Sequence, residues 1–233
     1  MLPRADASVG RAGIADCYGH FMNNERLRAI VDPGGVAVLT MELQKGIVGA
    51  EALLPALARA VSEADMLAAA GRVCRSAREH GARIVHATMR ERPDGSGQSI
   101  NCKISAIGAK RRAEVGYSPT DIGNPGVELV DELDVQSSDI EVPRMHGMTP
   151  FTGTELDAVI RNLGVRTIVL MGVSLNIGIM GAALSAVDLG YQVVIVSDAV
   201  VGLPKEYADA VLQHSLSMIA TIVTADELIA AWN

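Results

Sequence analysis

Short apolar runs alternate with stretches of helical periodicity along most of the chain. Four of the runs are rich in valine, isoleucine, leucine and alanine, as is typical of strands buried on both faces; they span residues 35–43, 82–90, 165–173 and 191–199. Between them, apolar positions at helical spacing predict a long helix from about Leu54 to His80 and another over 178–190. Segment 165–199 therefore predicts a strand, a tight turn, a helix and a second strand.

The other predicted elements are shorter. Segment 139–164 predicts a short strand, an irregular loop and a helix, while segment 101–116 fits either a helix or an ordered loop. Near the end of the chain, the pattern predicts a helix, a strand over 220–223, and a last helix capped by Thr224 or Asp226.

Strands that alternate with helices are typical of a parallel sheet covered on both faces. We therefore predict the α/β class and a three-layer α/β/α sandwich with a mainly parallel sheet. Residues 1–34 form an N-terminal extension in this interpretation, and residues 35–233 form one domain. Within the extension, residues 21–31 predict a short helix that packs on the body of the domain or on a neighbouring subunit.

Composition and charge narrow the possible partners. The net charge of -7 argues against binding to nucleic acid or to an anionic membrane. The three cysteines, Cys17, Cys74 and Cys102, are odd in number and widely spaced, which suits free thiols in a reducing compartment. Since the sequence also lacks an apolar run long enough for a membrane span or a signal peptide, a cytoplasmic protein is expected.

The motifs of metal and nucleotide sites are missing from the sequence. Its five histidines are scattered, without HxH or HExxH spacing. The glycines of GVSLNIGIMG follow a predicted strand but lack GxGxxG spacing, and the sequence contains no GxxxxGK[ST]. We therefore expect neither a metal nor a cofactor.

Polar residues at the carboxyl ends of the strands are the candidates for chemistry, because ligands of such folds bind there. Glu42 ends the first strand between Met41 and Leu43, where a partly desolvated carboxyl group suits proton transfer. A structural role, in which it caps a neighbouring helix or pairs with an arginine, is an equally good interpretation. Arg144 follows a later strand and could bind a substrate carboxylate or pair with Glu42. His146, in the same loop, could act in acid–base chemistry or bond a loop carbonyl.

Several segments together resemble the isochorismatase-like (cysteine) hydrolase superfamily over roughly residues 35–230. AVLTMELQ (37–44) resembles its first strand, which ends in Asp-x-Gln, and TPFTGTELDAVIRNLGVRTIVLMGV (149–173) resembles a characteristic helix and strand. GVSLNIGIMGAA (172–183) resembles the Gly-Val-x-Thr-x-x-Cys-Val elbow, and VVIVSDAV (193–200) the next strand. The resemblance implies the same sandwich fold.

Amidases of that superfamily use an Asp, Lys and Cys triad, in which the thiol attacks an amide carbonyl and elbow N–H groups, often beside a cis peptide, hold the oxyanion. By this resemblance, Glu42 takes the place of the aspartate and Gly178 that of the cysteine. The place of the lysine falls on Arg144 if the loop has one extra residue, or on Met145 if it has none. Because no cysteine of this chain matches the elbow, a thioester route is closed.

Superfamily members that cleave a vinyl ether resemble this chain in carrying glycine at the elbow, and they use a carboxylic acid and water. We therefore predict a hydrolase of a small, carboxylated metabolite, without a cysteine nucleophile, in which Glu42 is the acid/base and Arg144 and His146 complete the catalytic set. The predicted substrate-binding residues are Gln44, Val173, Ser174, Asn176 and Gly178. The alternative is an inactive member that binds a metabolite or a partner protein. In either case the resemblance implies a homo-oligomer, a dimer or a tetramer.

Overall fold

Six parallel strands form the centre of the structure, a computed structural model that describes residues 24–233. The strands are β1 (Val36–Met41), β2 (Arg83–Met89), β3 (Ile140–Arg144), β4 (Thr167–Val173), β5 (Gln192–Val201) and β6 (Thr221–Val223). Their order in the sheet is β3-β2-β1-β4-β5-β6, and every neighbouring pair is parallel. Every residue of the central strands β1 and β4 is buried, as their continuous apolar runs predict. The predicted α/β class is confirmed.

Helices cover both faces of this sheet. In the described part of the chain they are α1 (Asn24–Ile30), α2 (Lys45–Val48), α3 (Pro55–Glu63), α4 (Met66–Glu79), α5 (Lys103–Val115), α6 (Leu156–Asn162), α7 (Met180–Asp188), α8 (Lys205–His214) and α9 (Ala225–Trp232). One apolar core joins the sheet to α1, α3, α4 and α9, and a second core on the opposite face joins it to α6, α7 and α8. The predicted three-layer sandwich is therefore present.

The long helix predicted from Leu54 to His80 is wrong as a single element. The segment forms α3 and α4, which are separated by Ala64 and Asp65. Asp65 has a left-handed backbone with φ of 50°, a conformation that aspartate tolerates better than most side chains. Both helices bury one apolar face against the same core. The apolar spacing therefore continues across the break and does not reveal it.

The ends of the domain pack against each other. In the described part of the predicted 21–31 helix, α1 lies on the body of the domain, with Leu27 buried in its core. The indole Nε1 of Trp232 donates a hydrogen bond to the carbonyl of Val31 at 2.8 Å. Thr224, one of the two predicted caps, caps α9 together with Glu227 in a reciprocal capping box. Residues 1–23, with Cys17, lie outside the described residues, and the domain boundary at residue 34 stays a prediction.

A buried polar network crosses β1, β2 and the residue before β3. His86 is 1 % exposed; its Nδ1 lies 2.7 Å from Thr40 Oγ1, and its Nε2 lies 3.4 Å from Asp139 Oδ2. Arg78, on α4, donates to both carboxylate oxygens of Asp139 at 3.2 and 2.7 Å. The sequence gives no sign of this network beyond an isolated histidine in a strand. Its role is to hold α4 against the edge of the sheet that carries β3.

Burial lowers the pKa of His86 below its ordinary value of 6.5, despite the opposing effect of the Asp139 carboxylate. At pH values between 6.5 and the lowered pKa of the folded state, His86 is protonated in the unfolded chain but not in the folded chain. The free energy of unfolding is therefore expected to fall as the pH drops below about 6.5, by up to about 1.4 kcal/mol per pH unit for one proton. Urea unfolding between pH 7.5 and 5 measures it.

The matched variants assign that slope to one side chain. His86→Gln is expected to flatten the slope between pH 7.5 and 5, whereas His214→Gln, on the exposed end of α8, is expected to keep it. The Asp139 carboxylate affects the free energy of unfolding at a lower pH than His86 does. Its pKa is lowered by the hydrogen bonds from Arg78 and Gln136, which outweigh its burial, so its contribution is lost only as the pH falls below 3.8. An unchanged slope in His86→Gln would contradict the assignment.

Within residues 24–233, none of the helices is both long and apolar enough to cross a membrane.

Candidate active site

The carboxyl ends of β1 and β3 bring Glu42 and Arg144 together, although β2 lies between these two strands. Glu42 follows β1 in a left-handed conformation with φ of 56°, and its backbone N–H donates to the Ala87 carbonyl at 2.9 Å. Arg144 is the last residue of β3, and its Nη2 donates a short hydrogen bond to Glu42 Oε1. Pairing with an arginine was one of the interpretations that the sequence left open for Glu42, beside proton transfer and the capping of a helix.

This ion pair is largely withdrawn from solvent. The side chains of Arg144 and Glu42 are 4 % and 16 % exposed. Arg144 Nε donates to the Gly147 carbonyl at 3.1 Å, which fixes the guanidinium plane from a second side. Its Nη1 is buried and has no hydrogen-bond partner within residues 24–233. One nitrogen of the guanidinium is therefore buried and unpaired beside the Glu42 carboxylate.

The neighbouring residues of Arg144 point elsewhere. Met145 is 36 % exposed, and its carbonyl accepts a hydrogen bond from Gln98 at 2.9 Å. His146 is exposed, and its ring lies over Gly153, where a Cβ added to the glycine would be 3.5 Å from the ring Cε1. No hydrogen bond joins His146 to Glu42 or Arg144 in the described part of the chain. Of the two alternatives for the lysine's place, Arg144 is the one that contacts Glu42.

Gln44 is fully buried just beyond Glu42, and its amide bonds to the backbone. Its Nε2 donates to the carbonyls of Met89 and Val127 at 2.9 and 3.0 Å, and its Oε1 accepts from the Met89 N–H at 2.7 Å. These bonds tie the end of β2 to the segment after α5. The contacts that the structure gives Gln44 thus support the shape of the site, and direct substrate binding by this residue stays a prediction.

The elbow after β4 forms the third side of the site. A cis peptide joins Val173 to Ser174, and a π-helical turn over Leu175–Ile179 leads into α7. The Ser174 carbonyl accepts the N–H groups of Ile177 and Ile179 at 3.2 and 3.1 Å. Asn176 Nδ2 donates to the Leu203 carbonyl at 3.0 Å, and its Oδ1 is buried without a partner among residues 24–233.

Gly178 lies in this turn, and the side chain of Met41 packs against it. A Cβ added at Gly178 would lie 2.7 Å from Met41 Cε and 3.1 Å from its Sδ. Met41 is fully buried at the end of β1, next to Glu42. The thioether therefore fills the place into which a side chain at position 178 would extend. The glycine at the nucleophile position is read from the sequence, and of the methionines that could fill the site, Met41 is the one that packs against Gly178.

The segment that follows β2 consists of a loop and the exposed helix α5. Helix α5 confirms the helical alternative for segment 101–116, and none of its residues is buried. Arg112 holds it in place through Asp121 and Glu91, whose Oε2 lies 3.3 Å from Arg112 Nη2. Gln98, in the preceding loop, bonds to Met145 near the site. The loop before α5 thus contacts the residue that follows Arg144.

The described residues contain no group of three or more His, Cys, Asp or Glu side chains that could hold a metal ion. The two cysteines in the described part also lie outside the site. Cys74 lies on the buried face of α4, where desolvation raises its pKa to about 12. Cys102 is exposed before α5, and hydrogen bonds from Ser105 lower its pKa. Neither occupies the elbow.

A sequence model described as the isochorismatase domain matches residues 36–227. The chain belongs to the isochorismatase family. Among curated proteins, it is 35 % identical over 102 residues to the uncharacterized isochorismatase family protein YwoC of Bacillus subtilis, covering 44 % of this chain and 53 % of that protein. It is 29 % identical over 121 residues to the ureidoacrylate amidohydrolase RutB of Pseudomonas syringae, covering 52 % of this chain and 41 % of that protein. The matched segment thus spans about half of these relatives.

Solved structures of the isochorismatase family share the fold over nearly their whole length. An isochorismatase family protein from Burkholderia thailandensis superimposes with a TM-score of 0.69 at 26 % identity, covering 85 % of this chain and 96 % of that one. The resemblance to the isochorismatase-like hydrolase superfamily is therefore confirmed.

Proposed function

We propose that this isochorismatase-family hydrolase cleaves a small, carboxylated metabolite by activating water, without a covalent thioester. The observation that carries the proposal is the buried contact between Glu42 and Arg144 beside an elbow whose nucleophile position is glycine. Proteins of this fold class bind ligands beyond the carboxyl ends of the strands, which is where the Glu42 carboxylate lies. A water molecule there can be activated by a carboxylate that accepts its proton, with a cationic partner that orients the carboxylate.

Glu42 is the acid/base residue in this proposal. As a carboxylate it accepts a proton from water while the water oxygen attacks the substrate, and as a carboxylic acid it returns the proton to the leaving group. Arg144 cannot take the same role, because a guanidinium stays protonated in proteins. Its hydrogen bond instead fixes the orientation of the Glu42 carboxyl group. This division of labour differs from a lysine-containing triad, in which the amine can also exchange a proton.

The free Nη1 edge of Arg144 is the proposed contact for the substrate carboxylate. A buried donor without a partner costs free energy, and an anionic oxygen would recover that cost. His146 is exposed in the loop that follows Arg144. It is proposed to contact the end of the substrate that lies farther from Arg144. Ser174 and Asn176, at the elbow, are also proposed to bind the substrate.

The experiment is a substrate panel with isochorismate, ureidoacrylate and small amides, assayed on the wild-type chain and on a cysteine-free variant. In that variant, Cys17, Cys74 and Cys102 are replaced by alanine. We expect turnover of at least one panel compound, with kcat/KM unchanged within about threefold in the cysteine-free variant, because the reaction uses no thiol. Loss of turnover in a cysteine-free chain that retains its circular dichroism spectrum and cooperative unfolding would contradict the mechanism.

An inactive family member that binds a metabolite is the second candidate. The packing of Met41 against Gly178 supports it, because the thioether occupies volume that a substrate would otherwise enter. The same panel separates the two functions. A compound that raises the melting temperature but is recovered unchanged after long incubation supports the binding protein.

A further inference from the structure

The chain between β2 and the residues before β3 includes a long segment, residues 92–120, whose two ends meet. Glu91 and Asp121 form a parallel bridge at its base. There the Glu91 N–H donates to the Thr120 carbonyl at 2.8 Å, and the Ile122 N–H donates to the Glu91 carbonyl at 2.9 Å. The segment contains helix α5, none of whose residues is buried. Its position therefore depends on polar contacts more than on apolar packing.

The 92–120 segment leaves the sheet between the two strands that carry the candidate site. It follows β2, which lies between β1 and β3, the strands that lead to Glu42 and Arg144. Ligands of this fold class bind beyond these strand ends, and long loops there often contact them. Gln98, near the start of the segment, donates from Nε2 to the Met145 carbonyl at 2.9 Å. The segment therefore contacts the same loop that holds the Arg144 guanidinium through the Gly147 carbonyl.

One cation joins the base of the 92–120 segment to its first loop. Arg112, on α5, donates from Nη1 to the Pro93 carbonyl at 3.0 Å and to Asp121 Oδ2 at 3.1 Å. Its Nη2 donates to Glu91 Oε2 at 3.3 Å, and Thr120 Oγ1 donates to the same oxygen at 2.7 Å. The side chains of Arg112, Glu91 and Asp121 are 19 %, 13 % and 8 % exposed. A planar guanidinium makes these contacts together, and the point charge of a lysine does not reproduce them.

We propose that Arg112 is a positioning residue of the candidate site, which holds residues 92–98 as one wall of the substrate pocket. This inference rests on the proposed function. Arg112 acts through that loop and through the bond from Gln98 to Met145, and it does not bind the substrate itself. Because Met145 directly follows Arg144, displacement of the loop weakens the hold of Arg144 on a substrate carboxylate. The buried contact between Arg144 and Glu42 is a separate interaction, so the chemical step changes less.

Steady-state kinetics of Arg112→Gln test the proposal on any compound that the wild-type chain turns over. KM is expected to rise about tenfold while kcat stays within about threefold, because substrate binding is weakened and the acid–base residue is kept. Arg112→Lys is expected to show a similar rise, since it keeps the charge without the planar set of donors. Arg111→Gln removes the same charge from the neighbouring position of α5 and is the matched control, expected to keep both constants.

Hydrogen exchange tests the placement of the loop without any turnover. In Arg112→Gln, the hydrogen-bonded amides of Glu91, Gly95 and Ile122 are expected to exchange at least about tenfold faster than in the wild type. The amides of β1 and β4 are expected to keep their rates, because the sheet stays folded. Gln98→Ala leaves the Arg112 contacts in place and is expected to raise KM about threefold, which tests the last link if Arg112→Gln does not fold.

The results that would overturn this inference differ from those that would overturn the proposed function. Unchanged exchange at residues 91–98 in a folded Arg112→Gln chain, a loss confined to kcat, or equal effects of Arg111→Gln and Arg112→Gln would overturn the positioning role. If the wild-type chain turns over no compound of the panel, the proposed function fails, and the exchange rates alone decide whether Arg112 holds the loop.

Discussion

The Glu42→Gln variant is expected to lose about 10²–10⁴-fold in kcat/KM on any compound that the wild-type chain turns over, which is the usual contribution of a general acid–base residue. Glutamine keeps the length of the side chain and one oxygen that accepts from Arg144 Nη2. It cannot accept a proton from water at neutral pH. The loss should therefore fall mainly on kcat, while the affinity for a substrate held by Arg144 changes less.

The matched control for this variant is Glu128→Gln. Glu128 also pairs with a cation, Lys45, at 3.0 Å, but on the exposed surface and away from the elbow. Its replacement is expected to leave kcat/KM within about twofold of the wild type. Melting curves of both variants report whether they fold. A folded Glu42→Gln chain with nearly wild-type kcat would remove Glu42 from the mechanism, whatever the substrate.

The Asp139→Asn variant is expected to lose about 3–5 kcal/mol of unfolding free energy, the usual cost of breaking a buried ion pair from one side. The Asp139 side chain is 2 % exposed and accepts hydrogen bonds from Arg78 and from the Gln136 N–H. An amide at this position turns an NH₂ group toward donors or leaves one of them unpaired. Arg78 would keep its charge with only 16 % of its side chain exposed to water.

Urea unfolding at pH 7.5 measures this loss. Asp209→Asn, which removes the same charge from the exposed pair with Lys205, is the control and is expected to change the unfolding free energy by less than about 1 kcal/mol. If the two variants had similar stabilities, the network around Asp139 would not contribute to holding α4 on the sheet.

The sheet was predictable because strands buried on both faces are read directly from continuous apolar runs. The run at 165–173 became β4, and the short strand near the C-terminus became β6 within one residue of the prediction. The division of the long helix was not predictable, since Asp65 reverses the backbone without interrupting the apolar spacing. The network around His86 was missed for a related reason. The register of β1 and β2 places Thr40 beside His86, whereas Arg78 reaches Asp139 from helix α4, and no local pattern reveals either contact.

The candidate site was predictable in its location more than in its contacts. The rule that ligands bind at the carboxyl ends of strands, together with the superfamily resemblance, pointed to Glu42 and Arg144, and the structure brings these two together. The place of His146 depends on an irregular loop, which no periodicity describes. Met41, at the end of β1, was one of three methionines that the sequence offered as residues that could fill the site. Its contact with Gly178 depends on the elbow geometry.

The glycine at the elbow also changes which chemical reagents would be expected to inactivate the protein. Peroxide and alkylating reagents inactivate cysteine hydrolases by attacking the catalytic thiolate, and within residues 24–233 neither cysteine lies at the elbow. The thiol most open to attack within residues 24–233 is Cys102, which is exposed before α5, whereas Cys74 and the Met41 sulfur are buried. Oxidants would therefore modify the exposed Cys102 thiol and leave the Glu42–Arg144 pair unchanged.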